Sequence, residues 1–132
     1  MKIEFKPIGI VHNKENKIAR QTIYAEESDI KIEIFKKYEA ALTNIEKHRY
    51  IYLISFLHKS DYYNLKTVPY GRSEETGLFC TRSPHRINPI ALSLVELVER
   101  QGNILKIKKT DLIDKTPILD IKSYFRKIDN PK

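Results

Sequence analysis

The sequence predicts a mainly β domain, a β-rich α+β fold with a small barrel-like sheet and one short helix, and not a Rossmann fold. At least six segments alternate apolar and polar residues or are rich in β-forming residues, and most of their connections are short. One short segment has helical spacing, and neither a G-x-G-x-x-G motif nor strand–helix alternation points to a doubly wound sheet. With 132 residues and no Pro/Gly/Ser-rich linker, residues 1–132 are expected to form a single domain.

The individual elements follow from local patterns along the chain. Residues 3–12 alternate like a strand that Pro7 interrupts, which favours a sheet edge or a bulge. Residues 34–43 carry apolar side chains at helical spacing, and residues 50–58 are apolar on both faces, as in a central strand. Gln101-Gly102-Asn103 predicts a hairpin turn. The full set of predicted strands comprises residues 3–12, 21–25, 30–35, 50–58, 90–99, 104–109 and 116–124.

Composition limits the partners and the compartment. The formal net charge of +7 favours a polyanionic partner such as nucleic acid, although Lys/Ile-rich compositions can also be basic for unrelated reasons. The single cysteine, Cys80, excludes an internal disulfide and a cysteine-based zinc cluster, and no metal is expected. Cys80, between Phe79 and Thr81, is expected to be a small buried core residue. No run is apolar enough to span a bilayer and the N-terminus is unlike a signal peptide, so no membrane partner and a cytoplasmic location are expected.

Residues 77–93 form the most informative segment of the chain. The apolar run of residues 78–80 predicts a short buried strand, which leads directly into a polar loop. Two prolines, Pro84 and Pro89, are expected to make this loop stiff. A stiff loop rich in hydrogen-bond donors suits the recognition of an anion or a nucleotide, because little ordering is needed on binding. The alternative is a surface loop whose arginines only face water.

Three blocks of sequence carry a family resemblance. Residues 81–93 read T-R-S-P-H-R-I-N-P-I-A-L-S, and residues 111–124 read D-L-I-D-K-T-P-I-L-D-I-K-S-Y. Near the start, P-I-G-I-V at residues 7–11 precedes Arg20 and Gln21. In order and spacing these blocks resemble the signatures of the TsaA-like, or tRNA-methyltransferase O, family over nearly the whole chain.

The resemblance implies a small β-barrel that uses S-adenosylmethionine as methyl donor and tRNA as methyl acceptor. It also implies a homodimer with the cofactor near the subunit interface, and methylation at N6 of threonylcarbamoyladenosine beside the anticodon. Longer family members continue into a C-terminal domain, which this chain is expected to lack. Two alternatives remain: a non-catalytic barrel that binds RNA or a nucleotide, and a methyltransferase for another acceptor.

The same resemblance implies which residues bind the cofactor. Arg82 is the first choice for a forked contact with the methionine carboxylate or with adenosine. Arg86 either does the same, contacts an RNA phosphate, or forms an ion pair with a dimer partner or with Asp120. Asp111 suits a ribose diol or the methionine ammonium group. The complete set of binding candidates is Ala19, Arg20, Gln21, Leu57, His58, Arg82, Arg86, Leu92, Lys109, Thr110 and Asp111.

His85 and His58 are the candidates for a proton acceptor, because the acceptor nitrogen is a poor nucleophile that must lose its proton. His85 could instead fix its loop by bonding backbone carbonyls, and His58 could simply be solvated. The segment of residues 59–76 is long and polar, and we expect it to close over the cofactor. The residues expected to contact RNA are Lys14, Lys17, Arg20, Lys47, Arg49, Arg72, Lys108 and Lys109.

Two glycines of the family signatures are replaced in this chain, by Ala91 and Lys115. A lysine at a position with positive φ is strained by about 1 kcal/mol or more, so either the turn at Lys115 differs or the pocket is altered. Two carboxylates of the second block are expected to be structural: Asp114 as a turn cap, and Asp120 as a buried partner of an arginine.

Overall fold

The computed structural model describes residues 1–14 and 30–132. Six antiparallel strands close into a barrel in the order β1-β2-β7-β6-β3-β8, and two further strands, β4 and β5, pair separately. The strands are β1 (Gly9–His12), β2 (Ile30–Ile34), β3 (Tyr50–Phe56), β4 (Lys66–Thr67), β5 (Thr76–Gly77), β6 (Ile90–Gln101), β7 (Ile104–Lys108) and β8 (Pro117–Ser123). The helical segments are the 3₁₀ helices Lys36–Leu42, Ile45–Lys47 and Leu78–Cys80 and the α-helix α1, Arg126–Asp129. The predicted β-rich barrel is confirmed.

Alternating side chains of the barrel strands fill its interior. In β3 the residues Ile51, Leu53 and Ser55 are buried, while the residues between them face outward. β3 pairs with β6 on one side and with β8 on the other, as predicted for a central strand. Because closure pairs every strand on both sides, the barrel presents no open sheet edge. The buried core consists of Val11, Ile30, Ile32, Ile34, Leu42, Ile45, Ile51, Leu53, Val95, Leu97, Leu105, Ile107, Leu112 and Ile118.

Strand β1 is shorter than the predicted strand over residues 3–12. Residues 1–8 form no strand, and the first ladder pair is made by Gly9. The glycine of the P-I-G-I-V block begins β1 and lies against β2. A Cβ atom at Gly9 would overlap the Glu33 carbonyl oxygen and would come 2.9 Å from Ile34 Cδ1. Only glycine therefore permits this close approach of the two strands. The predicted strand over residues 21–25, and its pairing with β2, lie outside the described residues.

The predicted helix over residues 34–43 is a 3₁₀ helix, Lys36–Leu42, which no side chain caps. It ends before Asn44, whose left-handed φ of 70° breaks the helix, and a second 3₁₀ turn follows. Leu42 and Ile45 are buried and cover one end of the barrel, here named the closed end. Burial of these two apolar side chains stabilises the chain where it folds back over the core after Asn44.

The prediction of a buried strand over residues 78–80 was wrong. These residues form a single 3₁₀ turn, in which the Leu78 carbonyl accepts hydrogen bonds from the amide (3.1 Å) and the hydroxyl (2.7 Å) of Thr81. One short turn directs its side chains to different sides, so Leu78 is buried while Phe79 is 80% exposed. Cys80 is exposed as well, and the prediction that it belongs to the core was also wrong.

The hairpin turn at residues 101–103 is confirmed, and Gly102 adopts the positive φ of 61° that such a turn favours. Strand β6 is longer than predicted and has a register shift between Leu97 and Glu99. In residues 1–14 and 30–132, no helix has the length and apolar character that crossing a membrane requires.

Candidate functional site

A cleft of about 930 Å³ lies at the end of the barrel opposite the closed end, here named the cleft end. Two segments form its walls: the hairpin made by β4 and β5, and the signature loop, defined as residues 81–89. Asp111, from the connection between β7 and β8, contributes to the same cleft. The lining residues are Thr67, Val68, Pro69, Tyr70, Arg72, Ser73, Glu74, Glu75, Thr76, Cys80, Thr81, Arg82, Ser83, Pro84 and Asp111.

Internal hydrogen bonds hold the signature loop in shape. Arg86 Nη1 donates to the carbonyl oxygens of Thr81 (2.9 Å) and Ser83 (3.2 Å), so its guanidinium group braces the turn from within. The His85 amide donates to Ser83 Oγ at 3.2 Å. The Leu57 amide donates to the Pro89 carbonyl at 2.7 Å, which ties the loop to the end of β3. These bonds and the two prolines are consistent with a stiff loop, which stays a prediction.

Arg86 therefore does not form the ion pair with Asp120 that was one of its predicted roles. Asp120 lies on β8 and pairs instead with Lys122, at 3.1 Å, and its side chain is 49% exposed. It also lines a smaller pocket at the closed end, away from the signature loop. The prediction of a buried Asp120–arginine pair was wrong, because a register shift between β3 and β8 interrupts the alternation after the buried Ile118 and pairs Asp120 with the outward-facing Ile54.

Arg82 is placed differently from Arg86. Its side chain is exposed in the cleft, and its Nη2 donates to the Leu92 carbonyl at 2.8 Å. A guanidinium group carries five N–H donors, so this one bond fixes its direction while other donors can reach a ligand. Leu92 itself is 48% exposed on the outer face of β6. The structure thus brings Arg82, Leu92 and Asp111 to the same end of the barrel.

His85 makes side-chain contacts with residues of the 59–76 segment. Its Nδ1 lies 2.9 Å from Ser60 Oγ, and Tyr62 stacks on its ring at 4.1 Å between centroids. Ser60 Oγ also lies 3.0 Å from the Pro84 carbonyl, and when its one proton is donated there, His85 Nδ1 is the donor to Ser60. In the neutral imidazole Nε2 is then an acceptor. The His85 ring is thus hydrogen-bonded to a hydroxyl group, whereas one of its predicted roles was to bond backbone carbonyls of its loop.

The other predicted residues are distributed around the cleft end. Leu57 is half-buried against the core, and His58 is exposed at the beginning of the 59–76 segment, outside the cleft lining. Thr110 is fully buried, and its Oγ1 accepts a hydrogen bond from the Leu112 amide at 3.2 Å, so it supports the loop and is not open to a ligand. Ala19, Arg20 and Gln21 lie outside the described residues.

Two lysines with left-handed backbones flank the connection that carries Asp111. Lys109 has a φ of 68° and lies 3.8 Å from Glu96, while Lys115 has a φ of 69°. Lys115 thus has the left-handed conformation that glycine adopts without a steric penalty, so a lysine at this position carries backbone strain. Asp114 Oδ1 accepts a hydrogen bond from the Asn13 amide at 2.8 Å, which ties this connection to the end of β1; its role as a turn cap stays a prediction.

The lysines and arginines expected to contact RNA are spread over the surface. Arg72 lines the cleft, whereas Lys47 belongs to a 3₁₀ turn at the closed end. Arg49 and Lys109 both lie near Glu96, at 3.7 and 3.8 Å. Lys17 and Arg20 lie outside the described residues. Within the described ranges, no group of three or more His, Cys, Asp or Glu side chains could hold a metal ion.

Sequence reasoning placed residues 59–76 beside the cofactor but missed the β4–β5 hairpin within them. It treated residues 59–76 as one long loop, yet Val68, Tyr70 and Arg72 line the site. The signal was present in Pro69 and Gly71, which flank the hairpin tip: the Arg72 amide donates to the Pro69 carbonyl at 3.0 Å, and Gly71 has a φ of 78°. Strands of two residues are too short to show a periodic pattern.

Comparisons with known proteins agree with this architecture. The family model described as the tRNA-methyltransferase O N-terminal domain matches residues 8–130. A probable S-adenosyl-L-methionine-binding protein of Pyrococcus abyssi is 41% identical over 128 residues, which are 95% of this chain and 70% of the relative. The tRNA (adenine(37)-N6)-methyltransferase of Mus musculus is 36% identical over 106 residues, which are 78% of this chain and 25% of that protein.

A crystal structure of TrmO from Pseudomonas aeruginosa has the same fold, with a TM-score of 0.79 and 26% identity. The match covers 98% of this chain and 59% of that chain, so the present chain spans about three fifths of the bacterial protein. The sequence motifs, the closed barrel and the family model agree. The chain belongs to the tRNA-methyltransferase O N-terminal domain family.

Proposed function

We propose that this protein is an S-adenosylmethionine-dependent methyltransferase that modifies adenine N6 in tRNA. One observation carries the proposal: two family motifs that are distant in sequence meet at a single cleft, to which one contributes Arg82 and the other Asp111. The volume of about 930 Å³ lies in the range of about 300–1,000 Å³ that is usual for small-molecule sites. The names of the Pyrococcus and mouse relatives support both the cofactor and the acceptor.

The residues of the cleft fit the charges of the cofactor. Its methionine end carries a carboxylate and an ammonium group, which match the donors of Arg82 and the acceptor oxygens of Asp111. When bound, the cofactor supplies a methyl group on a sulfonium that needs no further activation. The main task of the protein is then to hold the acceptor nitrogen in line with that methyl group.

The finer substrate that we propose is threonylcarbamoyladenosine beside the anticodon. Its N6 belongs to a urea-like group and is a poor nucleophile, so an acceptor for its proton would assist the reaction. His85 and His58 remain the candidates for this acceptor. When Ser60 donates to the Pro84 carbonyl, His85 Nδ1 carries the ring proton and Nε2 can accept one, which favours His85. Neither histidine is among the residues that line the cleft.

We further propose that the protein acts as a homodimer in the cytoplasm, where tRNA is available. The outer face of the β3–β6 pair is apolar: Ile54 and Leu92 are directly paired, as are Tyr52 and Leu94. Leu92 and Leu94 are 48% and 41% exposed. Because the Leu92 carbonyl also holds Arg82, a second copy on this face would lie close to the cleft.

The left-handed backbone of Lys115 leads us to prefer an enzyme over a non-catalytic binding module. That alternative drew its support from the replaced family glycines. Lys115 has the positive φ that a glycine adopts readily, so the replacement by itself does not require an altered loop.

Calorimetric titration with S-adenosylmethionine tests the proposal. We expect Arg82→Ala to bind the cofactor about 10- to 100-fold more weakly than the wild type, from the loss of hydrogen bonds to a charged group. Arg126→Ala, which removes an exposed arginine of α1 outside the cleft, serves as the matched control. Mass spectrometry of nucleosides from tRNA incubated with the wild type and the cofactor then identifies the methylated base. A wild-type protein that binds the cofactor and methylates no tRNA would favour the binding-module alternative.

A further inference from the structure

Four aromatic side chains are exposed along the β4–β5 hairpin and its base, and we name them the aromatic rim. Tyr62 is 56% exposed, Tyr63 49%, Tyr70 73% and Phe79 80%. Single exposed apolar residues are common on proteins, whereas a group of exposed aromatic rings beside a cleft indicates an interaction surface. The cofactor contacts proposed for Arg82 and Asp111 do not involve these four rings.

The hairpin fixes where the rings of the aromatic rim lie. Tyr70 occupies the turn at the tip, between Pro69 and Gly71, and lines the cleft. At the base, the Leu78 amide donates to the Leu65 carbonyl at 2.9 Å, which places Phe79 beside the start of the hairpin. The rim therefore extends from the base of the hairpin to its tip, alongside the cleft.

The base of the rim is tied to the signature loop. Tyr62 stacks on His85 with an angle of 19° between the rings, and Ser60 bonds both His85 and the Pro84 carbonyl. A surface that is fixed before binding loses little conformational freedom when a ligand docks. The rim thus resembles a pre-formed platform more than a loose loop.

Charge distinguishes between the possible partners of the rim. Arg72 and Arg82 line the adjacent cleft, and the chain has a net charge of +7, which complements a nucleic acid. Aromatic rings combined with arginines are the usual platform for unpaired nucleotides, because every base has a face that can stack. Glu74 and Glu75 also line the cleft and repel phosphates, so bases and not the backbone should face the hairpin.

We infer that the aromatic rim stacks the unpaired bases that flank the methyl-accepting base, so that the protein requires its adenosine in a single-stranded loop and does not accept it in a duplex. This inference rests on the proposed function, since it assumes a base in the cleft. When the neighbouring bases stack on the rim, the target base is no longer stacked between them. This separation is needed before its N6 can reach a methyl donor.

Leucine substitutions separate stacking from simple apolar burial. Phe79→Leu and Tyr63→Leu keep apolar area but remove the aromatic face, whereas Phe79→Tyr and Tyr63→Phe keep that face and serve as matched controls. The probe is an anticodon stem-loop RNA with 2-aminopurine next to the target adenosine, compared with a duplex RNA of equal length. We expect each leucine variant to bind the stem-loop about 5- to 150-fold more weakly, the range measured for loss of a base–aromatic stack, and to lose the quenching of 2-aminopurine.

A tryptophan at the hairpin tip gives an independent readout. The chain contains no tryptophan, so Tyr70→Trp introduces a single fluorophore at the tip. Its emission should be quenched by the stem-loop and not by the duplex. Leucine variants that bind the stem-loop as tightly as the wild type, or equal quenching by both RNAs, would overturn the inference.

Two further measurements separate this inference from the proposals it rests on. Light scattering reports the mass of each variant, and a leucine variant with an altered mass would assign the rim to contact between copies and overturn the inference. Titration of the wild type with S-adenosylmethionine tests the cofactor independently. If the wild type fails to bind the cofactor, the proposed function fails; if it binds but the leucine variants retain RNA affinity, only the rim assignment fails.

Discussion

The two ends of the barrel are closed by different chemistry. At the closed end, 3₁₀ turns place the apolar side chains of Leu42 and Ile45 over the core and leave a pocket of about 300 Å³. At the cleft end, a polar loop and a hairpin surround a space of about 930 Å³. Among residues 1–14 and 30–132, the buried polar residues follow the same division, since all of them lie at or just beyond the cleft-end termini of the strands: Asn13, Ser55, Thr110 and Thr116.

The difference shows how one barrel can combine stability with a binding site. Apolar closure gains free energy from burial and requires no specific partner. Polar closure depends on hydrogen bonds to the buried groups, as when Asn13 Nδ2 donates to the Leu112 carbonyl at 3.0 Å and Thr116 Oγ1 to the Ile113 carbonyl at 2.7 Å. Among the described residues Ser55 is the exception, because its buried Oγ has no hydrogen-bond partner. The second arrangement leaves charged groups at the surface, where a ligand can use them. We therefore expect mutations at the closed end to affect stability and those at the cleft end to affect binding.

The largest stability effect should come from the closed end. Leu42→Ala removes a side chain that is 3% exposed and leaves a cavity, which should lower the free energy of unfolding by about 2–5 kcal/mol. Urea denaturation measures this loss, and Leu42→Met, which keeps the volume, should cost less than about 1.5 kcal/mol. A change in cofactor affinity of the folded Leu42→Ala protein would contradict the proposed division between the two ends.

Arg86→Ala tests whether the hydrogen bonds that Arg86 makes within the signature loop support both stability and cofactor binding. It removes both hydrogen bonds of the guanidinium group to the Thr81 and Ser83 carbonyls, and we expect a loss of about 1–3 kcal/mol together with weaker cofactor binding. Urea denaturation and calorimetry on the same protein provide the two values. Arg86→Lys keeps the charge but not the forked geometry, so it should rescue only part of either effect. Full recovery of stability and cofactor binding in Arg86→Lys would show that the positive charge is sufficient and the forked geometry is not needed.

The smallest change in the free energy of unfolding is expected at Lys115, where substitution should raise stability and not lower it. Lys115→Gly relieves the left-handed backbone at φ 69° and should raise the free energy of unfolding by about 1 kcal/mol. Thermal and urea denaturation both report this gain. Lys115→Ala keeps the Cβ atom and its strain, and should remain within about 0.5 kcal/mol of the wild type. Equal stability of the glycine and alanine variants would show that the backbone is not strained there.

The sequence predicted the barrel better than it predicted the site. Strand β3 and the β6–β7 hairpin have strong local patterns, and the motif blocks identified the signature loop and Asp111 correctly as neighbours. Residues 78–80 misled because an apolar run of three residues suits a strand and a 3₁₀ turn equally well. The exposure of Cys80 depends on which way its side chain points in a single 3₁₀ turn, and that of Asp120 depends on the register shift between β3 and β8; composition encodes neither.

The way in which the barrel closes has a consequence for folding. Strand β1 pairs with β8, joining Gly9 to Ile118 and Ile10 to Pro117 across almost the whole chain. Contacts between such distant residues form slowly, because a long loop must be closed before they gain any energy. We therefore expect the β6–β7 hairpin to form early and the β1–β8 seam last. Because Asp111 lies on the connection that leads into β8, the cleft would be completed only in that final step, and a chain caught before closure would have no binding site.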